Sequence, residues 1–167
     1  KIIEKKKIFK IFKNLLNRLI YKKKVFIHRD FHVSNIMINK KGLGLIDTQD
    51  AVFGNIAYDL ASLIDDVRLT TNTKIKKKVL NEFIKINKSI DKNKFKNDFE
   101  ILSVLRNFKI IGIFSRLSKR DGKHKYLKLI PHAWKLIENR INNNKKFKDL
   151  KIIIDKNFPK KIRKYES

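Results

Sequence analysis

Apolar side chains recur three and four positions apart along nearly all of this 167-residue chain, with lysines filling the gaps. That period is helical, and it restricts the chain to a largely helical fold built on amphipathic faces. The opening segment shows it plainly. Ile2, Ile3, Ile8, Phe9, Ile11, Phe12, Leu15, Leu16, Leu19 and Ile20 line one side of a helix predicted over 1–21. Further helices are expected at about 58–69, 74–87, 97–114, 126–142 and 147–156, with polar stretches at 89–93 and 119–123 as separators and Pro159 closing the last. The asparagine- and lysine-rich run 142–146 reads as a solvated turn. Only three short β-rich runs break the pattern, at 25–27, 36–38 and 43–46, with Lys40-Lys41-Gly42 as a turn between the last two. Such short strands around a polar loop suggest a small hairpin that carries a site. The fold class expected is therefore mostly α with a small β-hairpin platform.

Length and composition narrow the options further. A chain of 167 residues suits one domain with one sizeable core. No linker or internal repeat divides it, so a single body is expected: a leading helix over 1–24, loops over 25–50 and a helical subdomain over 51–167. The absence of cysteine excludes disulfides and thiolate metal sites. Lysines interrupt every apolar run before it reaches the length of a membrane span, so no membrane partner and a cytoplasmic location are expected. The net charge of +26 invites a polyanion as partner. Lysine, asparagine and isoleucine are enriched together, however, as an AT-rich genome would produce unaided. The aromatics are mostly phenylalanines at core-like spacing, unlike a base-stacking surface. Nucleic acid is disfavoured as the main partner on these grounds.

The segment that carries chemistry is His28-Arg29-Asp30-Phe31-His32-Val33-Ser34-Asn35, followed by Ile46-Asp47. Phosphoryl transfer passes through a negatively charged transition state, so catalysis is mainly positioning and charge neutralisation. One carboxylate must orient the acceptor hydroxyl and take its proton. A carboxylate and a carboxamide suit magnesium, which prefers hard oxygen ligands. Asp30 and Asn35 lie five positions apart on one loop, the spacing of base and metal ligand in a kinase catalytic loop. Asp47 follows a hydrophobic strand, where a second metal ligand is expected.

These residues resemble the catalytic and metal loops of the aminoglycoside phosphotransferase family, whose fold is protein-kinase-like. The resemblance is closer to one branch, the bacterial anomeric kinases of N-acetylmuramate and N-acetylglucosamine. It rests on three stretches: 28–35; Ile46-Asp47-Thr48-Gln49-Asp50-Ala51 through Tyr58-Asp59-Leu60; and Gly112-Ile113-Phe114-Ser115-Arg116-Leu117 through Arg120-Asp121-Gly122-Lys123. It implies the C-terminal lobe of an α+β phosphotransferase that uses ATP and Mg2+ on a sugar hydroxyl in cell-wall recycling. Asp30 then resembles the catalytic base, and Asn35 and Asp47 resemble the magnesium ligands. His28, Arg29, His32 and Asp59 resemble supporting residues of the loop, with Asp59 tying the following helix back to it. Asp50, Arg116 and Arg120 are candidate substrate contacts.

A kinase of this kind also needs a glycine-rich loop over the phosphates and a strand lysine. Only 27 residues precede His28, and none is glycine. The expectation is that the N-terminal nucleotide lobe is missing from this chain, that Lys1 is an internal start, and that the fragment is inactive alone. The reading from a different class is a noncatalytic, pseudokinase-like remnant or a basic nucleic-acid-binding module. An aminoglycoside is the alternative substrate.

Overall fold

The computed structural model describes residues 2–22, 24–142 and 144–164. Asn143, inside the expected turn at 142–146, lies outside the described residues. The described chain is mostly helical, with two small antiparallel sheets. It divides into two compact units, residues 19–103 and residues 1–18 with 104–167, although no linker in the sequence marks the division.

Among the described residues, the unit 19–103 holds all the strands. These are β1 (Val25–Ile27), β2 (Ile36–Asn39), β3 (Gly42–Leu45) and β4 (Val52–Gly54). The expected hairpin is present as β2 and β3, paired antiparallel from Ile36 opposite Leu45 to Asn39 opposite Gly42. Gly42 turns it with a φ of 121°, a conformation open to glycine and strained for other residues. The fourth strand was not expected. It pairs with β1, Val25 opposite Gly54 and Ile27 opposite Val52. A Cβ at Gly54 would meet the end of the Ile27 side chain, which would have to shift.

The helices α2 (Tyr58–Ile64) and α3 (Thr73–Ile86) follow. The expected helix over 58–69 stops at Ile64 because the polar residues beyond it satisfy one another off the helix. Asp65 takes Lys76 Nζ at 3.0 Å and Ser103 Oγ at 2.5 Å. Asp66 accepts the Arg68 N–H, an aspartate-led turn that competes with helix. Asn72 caps α3 by accepting the Lys74 N–H at 2.7 Å.

The next helix, α4 (Lys92–Asp121), is much longer than the expected 97–114. Asp91 accepts the Lys94 N–H and starts it early, which brings Phe95 and Phe99 onto the same buried face as Leu102. Those three side chains pack with Ala57, Leu60, Ala61, Ile64 and Ile90 as the core of this unit. Asp98, wholly buried, accepts hydrogen bonds from the N–H groups of Ile20 and Tyr21 and from the Asn55 and Asn97 amides. It joins the segment entering β1 to the turn after β4.

The other unit contains α1 (Ile2–Asn17), the rest of α4, α5 (Ile130–Ile141), α6 (Lys148–Asn157) and α7 (Lys160–Arg163). The leading helix expected over 1–24 ends at Asn17. The helix expected from 126 begins at Ile130, after a 3-10 turn over His124–Leu129, because Pro131 favours the first helical turn. Rings link the elements: Phe12 lies 5.4 Å from Phe108, Phe108 meets Trp134 edge-on at 5.5 Å, and Trp134 lies 5.3 Å from Phe158. Pro159 does not end the chain's helices but precedes α7, whose Arg163 is buried and reaches Glu138 and Asp155.

Candidate active site

The site grows from the way α2 grips the loop before it. Asp59, in the first turn of α2, accepts the His28 N–H at 2.7 Å and the Arg29 N–H at 3.0 Å, one on each carboxylate oxygen. Consecutive N–H groups of an extended strand point to opposite sides, so one carboxylate cannot collect both. Arg29 solves this with a φ of 72°, a left-handed conformation costing roughly 1–2 kcal/mol for a residue with a Cβ. Hydrogen bonds to a charged group contribute about 1.5–3 kcal/mol each, so the pair outweighs the strain. The Arg29 guanidinium then donates to the Asp50 carbonyl at 3.1 Å, which links the loop to the segment after Asp47.

His28 is buried, and its Nε2 lies 2.9 Å from the Ile46 carbonyl. A carbonyl only accepts, so the proton is on Nε2 and the loop is pinned to the residue before Asp47. His32 is buried too. Its N–H donates to the Asp30 carbonyl and its carbonyl accepts the Asn35 N–H, so its main chain shapes the 3-10 turn over Val33–Asn35.

Asn35 is the junction. Its Nδ2 donates to the Asp30 carbonyl at 3.0 Å and lies 3.4 Å from Asp47 Oδ2. Its own carbonyl accepts the Ile46 N–H. Asp30, Asn35 and Asp47 are therefore brought into one connected group. Asp47 stands exposed at a φ of 66°, a second strained position, and its Oδ1 accepts the Gln49 amide at 2.6 Å. Asp30 is half-buried, and its carboxylate is engaged by no hydrogen bond or cation among the described residues.

A divalent cation fits this arrangement in its donor chemistry. Fixing the Asn35 Nδ2 on the Asp30 carbonyl leaves the Oδ1 as the amide's uncommitted oxygen. Asp47 is held by neutral amides alone, so its charge is not cancelled by a lysine or arginine among the described residues. Together they offer two hard oxygen ligands. No cluster of three or more His, Asp or Glu suited to a metal occurs among the described residues. Two protein ligands with phosphate and water completing the shell is a usual magnesium arrangement.

The remaining candidates are exposed. Asp50 enters the network through its main chain, and its side chain is exposed. Arg116 and Arg120 are exposed on α4 and belong to the other unit. Arg120 grips the neighbouring Asp121 with two hydrogen bonds, 2.6 and 2.9 Å, which raises the guanidinium's pKa and holds the carboxyl below its ordinary range. Sequence reasoning left Gln49 outside the set of site residues. The visible signal was a carboxamide two positions after a ligand-type aspartate, close enough to reach back to it.

Residues 5–79 match the model of the phosphotransferase enzyme family, APH. That segment is similar to the family. It contains every residue of the network from His28 to Asp59, while Arg116 and Arg120 fall beyond it. The chain is also similar to curated proteins, each described as an N-acetylmuramate/N-acetylglucosamine kinase. The one from Caulobacter vibrioides is 35% identical over 66% of this chain and 32% of its own length. The Neisseria meningitidis protein is 36% identical over 70% of this chain and 37% of its own. The Pseudomonas aeruginosa protein is 29% identical over 76% and 39%. The chain thus spans between about a third and two-fifths of the length of these relatives.

Proposed function

We propose that this chain is the catalytic-loop part, the C-terminal lobe, of an ATP- and Mg2+-dependent kinase that phosphorylates a sugar hydroxyl. The acceptor class is a cell-wall amino sugar such as N-acetylmuramate or N-acetylglucosamine, the sugars for which its relatives are named. One observation carries the reading: a single amide, that of Asn35, touches both the loop bearing Asp30 and the carboxylate of Asp47. A hydroxyl phosphotransferase needs those two carboxylates side by side but in different states.

The division of labour follows from their surroundings. Asp30 keeps its carboxylate unengaged on a loop whose main chain is held at His28, Arg29, His32 and Asn35. It orients the acceptor hydroxyl and takes its proton. Asn35 Oδ1 and Asp47 hold Mg2+, which when bound supplies neutralisation of the phosphate charge. Asp59 and the Arg29 turn fix the height of the loop. The nucleotide is clamped by a further lobe, outside this chain, so residues 1–167 alone are expected to be inactive.

The test is a phosphoryl-transfer assay on the longer protein that carries this segment, with ATP, Mg2+ and a panel of amino sugars and aminoglycosides. Transfer to N-acetylmuramate or N-acetylglucosamine is the expected result. Transfer to aminoglycosides alone would overturn the acceptor class, and no transfer to any hydroxyl would overturn the reading.

A further inference from the structure

We propose that Gln49 is a positioning residue that selects which oxygen of Asp47 faces the cation, an inference that rests on the metal reading of Asn35 and Asp47 given above. Asp47 sits on an exposed turn with a left-handed backbone, so packing does little to fix its side chain. Only two groups among the described residues hold the carboxylate. The Asn35 Nδ2 contact to Oδ2, at 3.4 Å, is long for a hydrogen bond, and that amide is already committed at 3.0 Å to the Asp30 carbonyl. The Gln49 Nε2 contact to Oδ1, at 2.6 Å, is the short one.

The consequence is an asymmetric carboxylate. Gln49 holds Oδ1 closely while Asn35 Nδ2 touches Oδ2 only at 3.4 Å, so Oδ2 is the oxygen freer to turn to a cation beside Asn35 Oδ1. A neutral amide is the suitable partner for this task. It orients the carboxylate without cancelling its charge, whereas a lysine or arginine in its place would compete with the cation. Losing such a partner typically weakens metal affinity about 10–100-fold, since the ligand must then be ordered at the moment of binding.

The experiment uses the 167-residue chain and Mn2+ as a paramagnetic probe, with affinity read from water-proton relaxation and the fold checked by melting temperature. The variants are Gln49→Ala, Gln49→Met, which keeps the length but removes the donor, and Asp47→Ala. The expected result is that both Gln49 variants bind Mn2+ about tenfold more weakly at an unchanged melting temperature, while Asp47→Ala loses the site. Unchanged affinity in both Gln49 variants, with Asp47→Ala still losing the site, would overturn the role of Gln49 and leave the metal reading standing. Mn2+ relaxation that does not depend on Asp47 would overturn the metal reading itself.

Discussion

Asn35 joins the main chain of Asp30 to the carboxylate of Asp47 through one amide nitrogen. Its main-chain carbonyl takes the Ile46 N–H, and its Oδ1 accepts no hydrogen bond among the described residues. On the proposed reading, truncation of Asn35 to alanine would remove a neutral ligand, whereas truncation of Asp47 would remove a charged one. Asp47→Ala is therefore expected to weaken the magnesium response more than Asn35→Ala. A magnesium titration of turnover in the two variants of the longer protein checks this, and an unchanged response in Asp47→Ala would contradict the assignment. Gln49 shows why a site is only partly legible at this scale. Candidate residues can be picked out by chemistry and spacing, as Asp30, Asn35 and Asp47 are. The side chain that aims a ligand is visible only once the turn geometry brings it within 2.6 Å.

At the scale of elements, α2 and the loop before it form one device. The Asp59 carboxylate holds two N–H groups at a strained turn, so its removal leaves both donors unpaired. Asp59→Ala is expected to cost about 2–4 kcal/mol in urea unfolding, the cost of two lost charge-assisted hydrogen bonds less hydration of the freed donors. A cost below about 0.5 kcal/mol, the usual scale of an incidental surface change, would show that the pair does not hold the loop.

A second device closes the chain's end. Burial of the Arg163 guanidinium disfavours its charge, but its hydrogen bonds to Asp155 and Glu138 outweigh that and raise its pKa. The Asp155 carboxyl is held below its ordinary range by its hydrogen bonds to Lys151 and Arg163. A depressed carboxylate contributes stability that is present above its unfolded pKa and is lost as pH falls through the folded one. The clasp is therefore expected to loosen below about pH 4. Arg163→Ala should flatten that part of the stability profile, and an unchanged acid slope would exclude the clasp as its source.

The helices α2, α5 and α6 of these devices were legible because lysine and apolar residues alternate at a helical period, whereas the four-residue α7 was not. Their ends were not. Asp91 and Asp65 set where α4 begins and α2 stops through hydrogen bonds that sequence spacing does not display. The strand β4 escaped because three residues carry no period, and its partner β1 lies 25 or more positions back.

At the scale of the molecule, charge and apolar exposure set the behaviour of the isolated chain. Among the described residues no helix is long and apolar enough to cross a membrane. If the net charge of +26 reflects composition, DNA binding should be weak, sequence-independent and steeply lost with salt. A sequence-specific complex surviving physiological salt in a gel-shift series would contradict that. Phe26, Ile38, Leu43 and Phe53 are all more than half exposed on the strands beside the site, an apolar surface expected to promote association of the isolated chain. Light scattering across a concentration series tests this, and a monomer at all concentrations would count against it. If the proposed function holds, Asp30 is the reacting carboxylate of a hydroxyl phosphotransferase. The deciding experiment is the phosphoryl-transfer rate of Asp30→Asn in the longer protein, taken together with its melting temperature. A loss of about 10²–10⁴-fold at an unchanged melting temperature is expected, because the substitution keeps the shape and removes the proton acceptor. Near-normal turnover in Asp30→Asn would remove Asp30 from that role.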